Sequence, residues 1–167
     1  MKFVILSLVL LASAVACYSQ ISGDELKKLR KKIVRNYAIT GSMVFLAGAA
    51  DGVNQALVFK YGAVKKAFPK LNDRYWWPVK SAYNKYKNCD PAQGAKFPGS
   101  RTWLVFTTDG YHLTRFVDRL FMSGAIAFKI AGYEKRRWYV YLLEAAGYWA
   151  INRAGFCLTY NRFKYNP

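Results

Sequence analysis

Tyr37-Ala38-Ile39-Thr40-Gly41-Ser42-Met43-Val44-Phe45-Leu46-Ala47-Gly48-Ala49-Ala50-Asp51-Gly52-Val53-Asn54-Gln55-Ala56-Leu57-Val58-Phe59 is the most apolar run downstream of the chain's first twenty residues. It contains no proline, it is long enough to span a bilayer, and it is rich in glycine and alanine. Gly48 and Gly52 stand four apart, a spacing that lets a second helix approach closely. Asp51, Asn54 and Gln55 interrupt it, so that face is expected to meet a partner helix or a polar cavity and not lipid.

Two further helices are expected on either side of a short polar turn at residues 133–135. One runs from Arg101 to about Ala131. The other runs from Arg137 to about Leu158, with Ala146, Ala150 and Ala154 at four-residue steps as its close-packing face. Upstream, Ser22 with Glu25 reads as a capping box for a segment carrying Lys27, Lys28, Arg30, Lys31, Lys32 and Arg35. Leu26, Leu29 and Ile33 give it a narrow apolar stripe, the pattern of a helix that lies on anionic lipid. Residues 61–101 carry Pro69, Pro78, Pro91 and Pro98 and are expected to be a long, irregular but ordered loop. Its anchors are Tyr75, Trp76, Trp77, Tyr83, Tyr86 and Phe97, and aromatics beside lysine and arginine suit a membrane interface and equally a loop packed over a helical core. The expected fold is all-α: a small bundle of three to four main helices with a long aromatic, basic loop, associated with a membrane.

The beginning of the chain has the three parts of an export signal. Lys2 is followed by the apolar run Phe3–Leu11 and by small residues up to Ala16. Residues 1–19 are expected to be the signal and residues 20–167 a single helical domain. Three ends for the signal stand open: cleavage after Ala16, cleavage after Ser19, or a lipobox in which Cys17 is lipidated, with Ala14 where leucine is usual. An uncleaved anchor is the alternative to all three. The expected location is the cell envelope, membrane-associated or periplasmic. Cys89 and Cys157 then form one disulfide or remain two free thiols.

The 167 residues carry a net charge of +17, and 53% of them are hydrophobic. That apolar content excludes a disordered chain. The charge favours anionic partners, phospholipid or lipopolysaccharide phosphates above all. Another envelope protein is the second expected partner. Nucleic acid is disfavoured, because an exported chain meets it only in uptake or viral systems.

Acidic residues are scarce, and Asp51, Asp109, Asp118 and Glu144 fall in apolar helical stretches, where each needs a cation or hydrogen bonds. Asp109, His112, Arg115 and Arg119 are spaced to share one helix face. A carboxylate beside histidine makes a general base, and the arginines suit a phosphate. The same stripe serves equally as register pairs with Asp51 or Glu144 on facing helices. Asp109 and His112 are thus the candidate catalytic residues, and Arg115, Arg119, Asp51, Glu144, Trp76 and Trp77 the candidate binding residues. No nucleophile elbow, P-loop, dinucleotide fingerprint or metal-ligand spacing is present, so no cofactor is expected. Two readings follow: a structural or interaction protein of the envelope, and a small membrane enzyme acting on a lipid or phosphate ester.

One block of the chain has a family likeness. Trp76–Pro78, Asn84–Asn88, Asp90–Gly94, Phe97–Ser100 and Thr108–Leu113 together resemble a family of small uncharacterised proteins of Bacteroidetes bacteria and their phages. The likeness covers residues 45 to 116 and implies a bacterial or phage-encoded envelope setting. A fainter similarity is to predicted periplasmic lipoproteins with an Asp/His helix, in which lysine stands where this chain has Gly110.

Overall fold

The structure is a computed structural model, described for residues 23–132 and 136–163. The export signal, Cys17, Ser22 and the polar turn at 133–135 lie outside those residues. Among the described residues the chain is all-helical, with six α-helices.

Helix α1, Gly23–Phe59, is one continuous rod of 37 residues, about 55 Å at 1.5 Å per residue. The basic segment and the glycine-rich run are therefore a single helix. Helices α2 (Tyr61–Ala67), α3 (Asp73–Trp76) and α4 (Pro78–Ser81) follow. Three 3-10 turns then lead to α5, Gly110–Ala131, and α6, Trp138–Tyr160, completes the fold.

Three-helix packing centres on α1, which contacts both α5 and α6. Asn152 donates to the Val44 carbonyl (3.2 Å) and Thr159 to the Ala49 carbonyl (3.0 Å), so α6 runs parallel to α1. Asn54 of α1 meets Tyr111 of α5, and Met43 meets Gly124, so α5 runs antiparallel. The α1–α6 seam is a backbone-to-backbone contact. A Cβ on Gly48 would fall on the Asn152 carbonyl, one on Gly52 would stand 2.6 Å from the Phe156 carbonyl oxygen, and one on Gly155 only 3.0 Å from the Ala49 nitrogen. The Gly48/Gly52 expectation thus holds, but its counterpart on α6 differs. Ala146, Ala150 and Ala154 are exposed, and Gly155 with Asn152 and Thr159 makes the close approach. Thr159 and Asn152 draw α6 in by bonding carbonyls of α1, which alanine cannot do.

The segment expected to be irregular contains α2, α3 and α4, because Asn72 caps α3 by accepting from the Arg74 amide and Pro78 occupies the first turn of α4. The next helix was expected from Arg101 but begins at Gly110. Thr107 and Thr108 turn their hydroxyls onto the carbonyls of Leu104 (2.8 Å) and Val105 (2.7 Å), which favours turns over a regular helix. Asp109 then caps α5. Between these, the buried Ser100 hydroxyl donates to the Lys85 carbonyl (2.8 Å) and accepts from the Lys96 amide (3.1 Å), which pins the loop's two ends together.

Asp73 ties this region to α2. It accepts from Tyr61 (2.7 Å) and pairs with Lys65 (2.8 Å) and Lys80 (3.9 Å). The Lys65 hydrogen bond, and after it the Tyr61 bond, hold the Asp73 carboxyl below the usual carboxylate range. Tyr61 is pushed up to about 12, by burial first and then by Asp73. A depressed carboxylate pKa stabilises the fold above the ordinary value of about 4, and the contribution is lost as pH falls through the depressed one. Asp73→Asn is therefore expected to speed amide exchange in residues 61–77 at neutral pH, and to remove the acid-induced loosening of that region expected in the parent. Equal acid sensitivity in both proteins would refute the assignment.

Among the described residues little of the apolar content is inside. Their buried hydrophobic side chains are Val44, Ala47, Ala56, Leu57, Val64 and Ala125, while fully buried Leu57 is followed in size by Asn54, Asp109, Ser81 and Ser100. Leu120, Ile126 and Ile130 on α5 and Trp138, Leu142, Trp149 and Leu158 on α6 are exposed.

Candidate functional site

Asp109 is the N-cap of α5. Its backbone is extended, and one carboxylate oxygen accepts from the His112 amide at 2.8 Å. Gly110, the first residue of the helix, lies under the Trp76 ring, which a side chain at that position would overlap. The cap is also a pair. The His112 ring nitrogen Nδ1 sits 2.7 and 2.9 Å from the two Asp109 oxygens, and the Thr108 hydroxyl, whose one proton is shared with the Val105 carbonyl, lies 3.0 Å from the same carboxylate. Asp109 is 1% exposed, and its charge is met by the amide and the ring of His112. The charge reaches Tyr75 as well, whose phenol is pushed up by burial first and then by Asp109.

The expected four-residue stripe divides. Asp109 and His112 do come together. Arg115, one turn on, lies over the Tyr111 ring, with Cζ 5.7 Å from its centroid, and His112 meets the same ring edge-on at 5.2 Å. Arg119 belongs to a different group: with Arg115 it acts on Asp118, which also feels Asp51 as a like charge across the α1–α5 seam. Asn54, one turn along α1, donates to Thr114 (2.8 Å) and to the Tyr111 carbonyl (2.9 Å).

Glu144 is at the opposite end of the helices. There it accepts from Tyr37 and pairs with Arg136 (2.8 Å) and Lys129 (3.0 Å). One carboxylate thus links α1, α5, α6 and Arg136, two residues before α6. The group borders a cavity of about 30 Å³ lined by Lys32, Asn36, Thr40, Lys129, Gly132 and Arg136 among others, room for little more than water. The sequence reading missed Tyr37, Lys129 and Arg136. Their signal was present, since a carboxylate in an apolar helix demands a cation, but the parallel course of α6 decided which cations.

Trp76 and Trp77 are both half-buried and spent on packing. Trp76 covers Gly110, while Trp77 stacks on Tyr61 at 5.3 Å beneath Lys80. The freely exposed tryptophans are Trp103, Trp138 and Trp149. Cys89 and Cys157 are both free, exposed thiols, so the disulfide weighed above is not formed. Cys89 is held in a turn near Asn84, and Cys157 lies on α6. Among the described residues no three His, Cys, Asp or Glu side chains gather as a metal site.

Compared with known proteins, the chain matches no family, no curated protein and no solved structure.

Proposed function

We propose that this protein is a membrane-seated structural or interaction protein of a bacterial or phage-encoded envelope, held in the bilayer by α1, α5 and α6 and by contact with anionic lipid. The observation that carries the reading is the inverted distribution of side chains. Glycine, alanine, threonine and asparagine fill the helix seams, while leucine, isoleucine and tryptophan face outward. Water penalises that arrangement and hydrocarbon accepts it, because helices in lipid associate through small residues and hydrogen bonds.

Three further facts support it. Among the described residues α1 is the one helix both long and apolar enough to cross a membrane. Helices α5 and α6, at 22 and 23 residues, match it in length alone, at about 33–35 Å against a hydrocarbon thickness of about 30 Å. Basic residues cluster at both ends: Lys27–Arg35, Arg136 and Arg137 at one, and Lys60, Lys65, Lys66, Lys70 and Lys80 at the other. Both clusters suit phosphate-rich headgroup layers.

The full chain is expected to stay with membranes through high-salt and alkaline carbonate washes and to be released by detergent. Release by salt alone would refute insertion, and recovery in the soluble fraction would refute the whole reading. The Asp109–His112 pair favours a second reading, a small enzyme acting on a lipid or phosphate ester, for which loss of a hydrolytic activity in folded His112→Ala is the test.

A further inference from the structure

We infer that His112 and Arg115 form a binding site for a phosphate monoester. The inference is independent of how the helices meet the membrane. Both Asp109 oxygens lie on Nδ1 of His112, and an ionised carboxylate only accepts, so Nδ1 carries the proton. Nε2 is then the ring nitrogen left for a ligand. That atom has no partner among the described residues, and the side chain is 28% exposed. Arg115 makes no hydrogen bond or ion pair there either. Its guanidinium lies over the Tyr111 ring that His112 meets edge-on. A ring nitrogen and a guanidinium thus meet at one tyrosine in the N-terminal turn of α5.

This combination selects among phosphates. A monoester has its second pKa at about 6 and carries a charge of about −1.5 to −2 at pH 7, with three strong acceptor oxygens. A diester carries a single negative charge. The denser charge gains more from the Arg115 guanidinium, and its oxygens can share a proton with Nε2. The pair therefore favours inorganic phosphate or a phosphomonoester headgroup over a diester headgroup. A simple capping role would account for the Asp109–His112 contact, but it asks nothing of Arg115.

His112 is the chain's only histidine, so histidine-labelled protein gives one pair of ring ¹⁵N signals. The full chain in detergent micelles would be titrated with inorganic phosphate. In parallel, flotation would compare vesicles containing phosphatidic acid with vesicles containing phosphatidylglycerol. The expected result is a saturable displacement of the Nε2 signal by phosphate, and stronger flotation with phosphatidic acid. Displacement by free phosphate without a phosphatidic acid preference identifies a soluble monoester, whereas both together identify a headgroup. Arg115→Gln should weaken the phosphate response by about tenfold with helix content unchanged. Arg115 takes no part in the cap, so this variant decides the question even if Asp109→Asn loses the fold. No displacement by either probe, or an undiminished response in Arg115→Gln, would overturn the assignment.

Discussion

Gly155→Val will separate α1 from α6. The new Cβ would stand 3.0 Å from the Ala49 nitrogen and nearer still to the Phe45 carbonyl oxygen, and both are backbone atoms of a continuous helix that cannot turn aside. Relief requires moving α6 outward. That breaks the Asn152–Val44 and Thr159–Ala49 hydrogen bonds and carries Glu144 away from Tyr37. Overpacking of this kind costs about 3 kcal/mol, before the lost hydrogen bonds are counted. Thermal unfolding in detergent, followed by helix content, should show a large drop in midpoint. The same helix supplies a control. A Cβ at Gly147 meets nothing within 4 Å, so Gly147→Ala should be neutral or stabilise by up to about 1 kcal/mol through helix propensity. Equal midpoints for the two variants would refute the seam.

The double variant Leu120→Asp, Trp149→Asp is the second large effect, and it discriminates between solvents. Leu120 and Trp149 are 56% and 69% exposed and belong to different helices. Facing water, each substitution should change stability by no more than about 0.5 kcal/mol. Facing hydrocarbon near the middle of a span, each aspartate costs about 3 kcal/mol, roughly a hundredfold in partition. The expected outcome is loss of the carbonate-resistant membrane fraction for the double variant. Lys87→Asp, in the basic loop, changes charge without touching the outward apolar faces and should keep that fraction. A double variant that remains in the membrane as firmly as the parent would rule out lipid contact at those faces.

Much of the helix layout was legible because it rests on local chemistry. Gly48 and Gly52 announced a close approach, and the end of the chain read as a helix within two residues of its observed bounds. The start of α5 was misplaced because Trp103–Phe106 is as apolar as a helix core, while the deciding groups are small: two threonine hydroxyls, a capping aspartate and a glycine under Trp76. The aromatic loop is legible as anchored, but its sequence leaves Trp76 and Trp77 open between an interfacial belt and packing over the helices, and the structure has both packed. Nothing local distinguishes a tryptophan that covers a glycine from one that faces out.

The candidate site divides in the same way. Asp109 and His112 are three residues apart, so any N-cap geometry brings them together, and their pairing was readable from spacing alone. Glu144 could not be paired from spacing. Its partners come from residues 37, 129 and 136, and they meet only because α6 runs parallel to α1 while α5 returns antiparallel. Composition and periodicity alone determined that the chain is helical, strongly basic and too apolar to remain unfolded. The tertiary structure decided which faces those apolar residues occupy. A 3.6-residue period says that a helix has two sides, but only the neighbours packed against it say which side is inside, and here the small and polar side is.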